Sequence, residues 1–414
     1  MIYKNLTNFS ILLFGSIFTQ LLLVISMPYF SDIYSKESFG LLALVIAISS
    51  SLLPLINDRL GFVLLSESDD SKASEIFHHA ILYSILTSSI FILTLTIVSF
   101  FINFSSQPSN FLFLLFAFFI LSSVYQIILS DLNRSKKYSH LATVKFLKSI
   151  ALLSGFYIFQ YNYDGLVVSH IISFLFIVSI YLVFLRNISL NIFSSFTFDK
   201  IFIYKKFVIN NALASSLNSL VTNLPIFFVG AVFGAQILGA YQLYNMILVI
   251  PLSMIGQSIS QINMGNIIEL KKENQKILPY FLKVSQLLFF GGILIFIITN
   301  LLNSFLFSKF FNIEKWFLTK DIIMYAIFFN IIEFISSALS TTMETLRKIT
   351  RSTNWKVIMT ISSLIIHSFA YFSSFNFINY IILLTIERSL IYIFLYYQTI
   401  NAVRDYDSES SNKN

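Results

Sequence analysis

Several ionisable side chains lie inside long apolar runs of this sequence, where a charge is energetically costly. Glu333, His367 and Glu387 each lie within a predicted membrane span, and Asp58 precedes Arg59 inside another such run. A carboxylate or an imidazole in that setting can exchange a proton or hold a sodium ion. The candidate ion-coupling residues are therefore Asp58, Glu333, His367 and Glu387.

Structural roles are the alternatives for these side chains. A histidine in an apolar run can be held by hydrogen bonds between packed helices, which is the alternative for His367. Glu387 and Arg388 are neighbours, and neighbouring side chains on a helix point about 100° apart. We therefore expect them to bind different partners, or one of them to snorkel to the interface. An ion pair between helices is their structural interpretation.

Two stripes of polar residues have helical spacing. Intervals of three and four residues put the members of each stripe on one face of a helix. Such a face either lines a polar lumen or holds helices together by hydrogen bonds. The first stripe contains Asn330, Glu333, Ser337, Ser340 and Glu344, and the second contains Asn211, Ser215, Asn218 and Thr222.

The composition identifies the solvent for which these helices are built. Hydrophobic residues make up 56% of the chain and charged residues only 11%, whereas about 25% of the residues in soluble domains are charged. A membrane span needs roughly 20 mostly apolar residues. The sequence therefore predicts an all-α polytopic membrane protein with twelve transmembrane helices, near 9–30, 40–63, 77–102, 110–130, 146–161, 165–186, 207–230, 238–262, 284–307, 321–342, 357–375 and 378–399.

The chain also has a doubled plan. Pro28 and Pro54 in the first half have the same spacing as Pro225 and Pro251 in the second half. Two similar lobes that rock about a shared site are typical of alternating access. The predicted organisation is a six-helix lobe over 1–190, a cytoplasmic connector over 191–206, a second six-helix lobe over 207–400, and a cytoplasmic tail over 401–414. We expect the polar end of this tail, "YDSESSNKN" at 406–414, to be disordered.

Basic residues indicate the orientation. Most of the 27 Lys and Arg residues fall in loops that share one side if the N-terminus is cytoplasmic, which is the positive-inside pattern. Both termini are therefore predicted to be cytoplasmic. The membrane topology accounts for the excess of basic residues, so this excess does not indicate a nucleic-acid partner. The chain has no cysteine, which excludes disulfides, thiolate catalysis and cysteine-type metal sites. We expect no metal site, no catalytic residues and no cofactor.

Two stretches resemble one bacterial transporter family. The stretches are "YSKESFGLLALVIAISSSLLPLINDRLGFVLLSESDD" and "FGAQILGAYQLYNMILVIPLSMIGQSISQI". Both are similar to the corresponding helix pairs of O-antigen and polysaccharide repeat-unit flippases, in the superfamily that also contains the multidrug and toxin extrusion (MATE) transporters. The resemblance implies a MATE-like fold with a V-shaped cleft between two lobes. It also implies translocation of an undecaprenyl-diphosphate-linked oligosaccharide, O-antigen or capsular, across the bacterial plasma (inner) membrane.

The resemblance also implies roles for basic residues. Arg59 stands where the family commonly has an arginine, and a guanidinium there can grip a diphosphate through two hydrogen bonds. Lys145 and Lys148 are further headgroup candidates. Positive-inside anchoring is the alternative for all three. The glutamate usual two residues after the arginine is replaced by Gly61, and Asp58 is a possible substitute.

Two other functions are alternatives to the flippase. A MATE-type exporter of small organic cations would favour a carboxylate-rich pocket. A polysaccharide polymerase or lipid-linked glycosyltransferase would need a sizeable outer loop, and the longest one, about 308–320, is short. No ATP-binding G-x-x-x-x-G-K-[ST] motif is present. The expected energy source is a proton or sodium gradient, or consumption of the product. The expected partners are the lipid-linked oligosaccharide and membrane lipid, with a polysaccharide polymerase and a chain-length regulator as possible protein partners.

Overall fold

The computed structural model describes residues 2–55, 59–67, 69–99, 110–185 and 198–411, and in these ranges the regular secondary structure is helical throughout. Two short π-helical segments, Tyr181–Leu185 and Asn245–Val249, continue α7 and join α9 to α10. The α-helices are α1 Ile2–Ile33, α2 Lys36–Leu53, α3 Arg59–Ser66, α4 Asp70–Ser99, α5 Phe111–Arg134, α6 Tyr138–Ile158, α7 Gly165–Ile180, α8 Phe198–Phe233, α9 Ala235–Tyr244, α10 Ile250–Lys272, α11 Leu278–Lys309, α12 Ile313–Thr345, α13 Ile349–Phe372 and α14 Phe377–Ser411.

The all-helical structure is explained by the hydrocarbon environment for which the chain is suited. A helix pairs its backbone N–H and C=O groups with each other, whereas hydrocarbon offers these groups no hydrogen-bond partner. Among the described residues, 11 helices are long and apolar enough to cross a membrane, and Phe18–Ile33, the part of α1 whose side chains are described, is a shorter apolar segment. Each of the twelve predicted spans overlaps at least one of these helices, so the all-α class is confirmed. The predicted second span covers α2 and α3, which flank residues 56–58 outside the described part.

The chain folds into two compact units, Met1–Gly230 and Ala231–Asn414. In the first unit α6 packs against α1 and α7, and α5 packs against α4 and α7. At Gly155 of α6 an added Cβ would lie 2.8 Å from the Ser169 Cβ of α7, so a glycine is required for this close crossing. The predicted lobe boundaries stay a prediction. Residues 191–197 of the predicted connector lie outside the described part.

In the second unit α12 is the central helix. It packs against α9, α10, α11, α13 and α14. Apolar side chains from α10, α11, α12 and α14, among them Ile267, Phe281, Phe334 and Val403, form a buried cluster around it. A polar side chain on α12 is therefore surrounded by neighbouring helices, and its partners must come from them.

Residues 406–411 are helical, which corrects their expected disorder. Helix α14 continues to Ser411 because its last turns have partners in the same unit. The Asp407 carboxylate accepts hydrogen bonds from the backbone N–H groups of Ile277 (3.0 Å) and Leu278 (2.9 Å) at the start of α11. Arg351 pairs with Asp405 at 2.5 Å, and Lys348 pairs with Glu409 at 2.6 Å. The apolar part of the sequence ends at the first charged residues of the tail, whereas the helix continues past them.

Candidate functional site in the second unit

The polar residues of α12 bind tyrosines of neighbouring helices. The Asn330 amide donates to the Tyr244 hydroxyl oxygen of α9 at 2.5 Å and to the Ala326 carbonyl at 2.8 Å. The Tyr392 hydroxyl of α14 donates to Glu333 Oε1 at 2.6 Å. The Ser337 hydroxyl instead donates to the Phe334 carbonyl of its own helix, at 3.4 Å. The α12 stripe therefore joins three helices at Asn330 and Glu333.

Glu387 and Arg388 form a buried ion pair on α14. Arg388 Nε lies 3.3 Å from Glu387 Oε2, and the two side chains are only 6% and 5% exposed. The hydroxyls of Ser362 and Ser363 on α13 donate to Glu387 Oε1, at 2.5 Å and 3.4 Å. The sequence-based expectation was wrong in one respect: the two residues pair with each other, and neither snorkels. Their long side chains reach across the 100° that separates their Cα–Cβ directions.

His367 is buried and uses both ring nitrogens. Nδ1 lies 2.6 Å from the Ser363 carbonyl oxygen, and Nε2 lies 3.0 Å from the Tyr380 hydroxyl. A carbonyl oxygen only accepts, so Nδ1 carries a proton, and in the neutral ring Nε2 accepts from Tyr380. This geometry is that of a hydrogen-bonded packing histidine. The role of His367 as a proton site stays a prediction.

Together these side chains form one polar cluster, which we call the α12–α14 site. Ser363 links two of its parts, because its hydroxyl donates to Glu387 and its carbonyl accepts from His367. Arg388 also attracts the Glu333 carboxylate. The structure therefore brings together the predicted residues Asn330, Glu333, His367 and Glu387. The sequence analysis missed Tyr244, Ser362, Tyr380 and Tyr392, because nothing in the local sequence separates these from the other residues of their type.

The first unit holds the basic headgroup candidates. The Lys148 ammonium of α6 lies 4.4 Å from the centroid of the Phe174 ring and 5.3 Å from that of Tyr125. Two aromatic faces thus stabilise a half-buried cation through cation–π contacts. Lys145 is half-buried on the same helix. Arg59 begins α3, but its side chain lies outside the described part, as does the whole of Asp58.

The second predicted stripe lies on α8. The Thr222 hydroxyl donates to the Asn218 carbonyl of the same helix at 3.0 Å, and Ser215 and Asn218 are half-buried. Asn211 is helical, and its side chain is outside the described part. The stripe prediction omitted Asn223, whose amide lies 2.9 Å from Ser50 Oγ and 3.1 Å from Ser51 Oγ of α2.

The chemistry available to the α12–α14 site is electrostatic. It contains two carboxylates, one guanidinium and one imidazole, and its hydroxyl groups orient the carboxylates. Within the described residues no group of three or more His, Cys, Asp or Glu side chains could hold a metal ion. The site can hold charge.

A sequence profile decides the family. Residues 31–307, about two thirds of the chain, match the profile described as polysaccharide biosynthesis protein. The chain belongs to this polysaccharide biosynthesis protein family. A polysaccharide biosynthesis family, as the two quoted stretches suggested, is therefore confirmed. No curated protein sequence matches the chain.

Solved structures show the same fold at low identity. The inward closed conformation of the lipid II flippase MurJ matches with a TM-score of 0.68 and 16% identity, covering 97% of this chain and 90% of that chain. An inward-facing multidrug resistance MATE transporter of the MOP superfamily matches with a TM-score of 0.63 and 14% identity, covering 94% of this chain and 99% of that chain. A MOP superfamily transporter from Pyrococcus furiosus matches with a TM-score of 0.58 and 14% identity, covering 98% of this chain and 94% of that chain. The predicted MATE-like all-α class is thus confirmed, and the protein is a multi-pass membrane protein.

Proposed function

We propose that this protein is a flippase that moves an undecaprenyl-diphosphate-linked oligosaccharide, an O-antigen or capsular repeat unit, from the cytoplasmic to the outer leaflet of the bacterial inner membrane. One combination carries the proposal: a polysaccharide biosynthesis sequence has a fold shared with a lipid II flippase along nearly its whole length. Alternating access then moves the anionic head of the lipid without a covalent step, so the protein is a transporter and needs no catalytic residue. A polymerase and a chain-length regulator are its expected partners.

Basic residues support the choice of an anionic substrate. Lys148 lies among aromatic rings on an apolar helix, and a cation in such surroundings attracts a diphosphate more strongly than one in water. Arg59 and Lys145 complete the proposed headgroup path. Arg59 supplies a planar pair of donors, whereas each lysine supplies a point charge.

The charges of the α12–α14 site support a gradient as the energy source. Arg388 pairs with Glu387, whereas Glu333 accepts a hydrogen bond from the Tyr392 hydroxyl, so the site with both carboxylates ionised has one negative charge in excess. A proton or a sodium ion balances that charge. Moving one charge through 100 mV is worth about 2.3 kcal/mol, which is sufficient to bias the populations of two conformations.

The proposal is tested by complementation in a strain that lacks the gene. We expect the deletion to accumulate lipid-linked repeat units on the cytoplasmic leaflet and to lose surface polysaccharide, and the wild-type gene to reverse both effects. Lys148→Met should restore display poorly, because the aromatic surroundings remain but the cation is lost. Lys137→Met, which removes an exposed basic residue at the start of the same helix, is the matched control.

Two outcomes would contradict the proposal. One is normal surface polysaccharide in the deletion strain with no accumulated intermediate. The other is a deletion strain whose only defect is retention of cationic dyes, which would assign the protein to small-molecule export. Purified protein in liposomes that moves a fluorescent polyprenyl-diphosphate sugar would support the proposal directly.

A further inference from the structure

An apolar groove lies on the second unit, between α11, α12 and α14. Its volume is about 730 Å³, within the about 300–1,000 Å³ typical of ligand sites. Its polar lining is limited to Ser285, Gln286, Ser336 and the tyrosine Tyr396. We call this feature the α11 groove; its apolar walls include Phe289, Phe296, Phe328, Ile332 and Ile393.

A glycine between two phenylalanines shapes the groove. Phe289, Gly292 and Phe296 lie on one face of α11 because they are three and four residues apart. At Gly292 an added Cβ would lie 2.7 Å from Ile331 Cγ2 of α12, so only glycine permits this approach of the two helices. Two large rings with a close helix contact between them leave a trough rather than a flat surface.

The groove opens to the surface of the described structure. Phe289, Phe328 and Ile393 are exposed, although they lie in the middle of membrane-spanning helices. A hydrocarbon chain that enters the groove gains dispersion contacts on several sides, which it lacks against a convex helix surface. The shape and apolar lining of the groove therefore suit a hydrocarbon chain.

Charge at one end of the groove indicates which kind of lipid. Lys283 lies on the same face of α11 as Gln286, three residues on, and is exposed beside Leu282, where the groove begins. Arg404 of α14 is exposed beyond the same end, on the face that carries Ile393. Cations at the end of an apolar trough complement a lipid with an anionic phosphate head.

The length of the groove separates two anionic lipids. From Leu282 to Phe296 the α11 wall extends about 21 Å at 1.5 Å per residue, whereas the hydrocarbon core is about 30 Å thick. The groove is therefore longer than one leaflet, about half of that core. A phospholipid acyl chain stays in its own leaflet, but a long polyprenyl chain crosses the midplane.

We propose that the α11 groove binds the polyprenyl chain of an anionic polyprenyl phosphate lipid, with the phosphate end at Lys283. The identity of this lipid as the substrate carrier rests on the proposed function. The groove holds the chain along the second unit, and the phosphate end lies where α11 begins.

Photo-crosslinking tests the site in the full chain. The photoreactive p-benzoylphenylalanine replaces Phe289 in the groove or Leu287, which is exposed on nearly the opposite face of α11 at the same depth (exposed fractions 55% and 70%). The protein is placed in nanodiscs of phosphatidylethanolamine and phosphatidylglycerol that contain undecaprenyl phosphate. We expect about tenfold more undecaprenyl phosphate adduct at 289 than at 287, a preference of about 1.4 kcal/mol. Equal yields at both positions, or phospholipid adducts alone at 289, would overturn the proposal.

A filled groove supplies the second measurement. Ile332→Trp places a large ring in the groove and should lower the undecaprenyl phosphate adduct at 289 about tenfold, because the chain loses its place. Leu287→Trp, outside the groove, should leave the yield unchanged. An unchanged yield in folded Ile332→Trp would contradict the site. If that variant does not fold, the comparison of 289 with 287 still decides.

Failure of the groove and failure of the proposed function give different results. Undecaprenyl phosphate carries no sugar, so its crosslinking does not depend on translocation. Crosslinking at 289 without any flipping of sugar-bearing lipid would support the groove and contradict the flippase. Flipping with no preferential crosslinking at 289 would support the flippase and contradict the groove.

Discussion

Arg388 supplies the guanidinium of the α12–α14 site. It pairs with Glu387 and attracts Glu333, and it is buried among helices α12, α13 and α14. The desolvation of such a group is offset only while its carboxylate partners remain. Removing one member of a buried pair is therefore worse than removing both.

The first prediction concerns this pair. Arg388→Ala should destabilise the protein by about 3–5 kcal/mol, because Glu387 would be left buried without its cation. The double variant Glu387→Gln/Arg388→Gln should recover much of that loss. Thermal unfolding followed by size-exclusion chromatography of detergent-solubilised protein measures both, and Arg404→Ala on the exposed end of α14 is the control. Equal stability of Arg388→Ala and the control would mean that the pair contributes nothing.

The second prediction concerns Arg59. If its guanidinium grips the diphosphate with two parallel hydrogen bonds, Arg59→Lys should insert normally yet reduce surface polysaccharide, and Arg59→Ala should reduce it further. If Arg59 only anchors the helix, both variants should be tolerated because other cytoplasmic cations remain. Polysaccharide display at matched membrane abundance measures this. Full display with Arg59→Ala would remove Arg59 from the headgroup path.

At the scale of elements, the end of α14 is bonded to the starts of α11 and α13. Asp407 accepts from two backbone N–H groups at the start of α11, which lack partners within their own helix. A carboxylate there also opposes the positive end of the helix dipole. Ion pairs from Asp405 and Glu409 attach the same turn to Arg351 and Lys348 near the start of α13.

The third prediction follows from that cap. Asp407→Ala should cost about 1–2 kcal/mol, the usual effect of losing a capping side chain, and should speed amide hydrogen exchange at 277–281. Ser408→Ala is the matched control, since its hydroxyl bonds only to the Asp405 carbonyl of its own helix. Hydrogen exchange measured by mass spectrometry distinguishes local fraying from global loss. Similar exchange in both variants would show that Asp407 does not hold α11.

The elements differ in how well the sequence predicted them. The spans were predictable because hydrocarbon demands long apolar helices, and each predicted span overlaps a helix. The helical tail was not predictable, because its order depends on Ile277, Leu278 and Arg351, which are distant in sequence. The pairing of Glu387 with Arg388 was missed because a rule based on helical angle ignores side-chain length. The partners Tyr244 and Tyr392 depend on packing around α12.

At the scale of the whole molecule, the direction of transport depends on topology. A chain with the predicted twelve spans would have both termini on one side, and the distribution of Lys and Arg predicts that this side is the cytoplasm. The headgroup path from Arg59, Lys145 and Lys148, and the phosphate end of the α11 groove at Lys283, are all proposed on this same cytoplasmic side. An inverted topology would therefore remove the electrostatic basis of the flippase together with that of its lipid site.

The last prediction tests this topology directly. The chain has no cysteine, so single cysteines report without background. In intact cells a membrane-impermeant maleimide should label Lys309→Cys, at the end of α11 in a predicted outer loop, and should miss Lys137→Cys and Lys272→Cys. After the membrane is permeabilised, all three exposed positions should react alike, which controls for accessibility. Labelling of position 137 or 272 in intact cells, with position 309 protected, would reverse the orientation and contradict both proposals, because the cations would then face the leaflet in which the product, not the substrate, arrives.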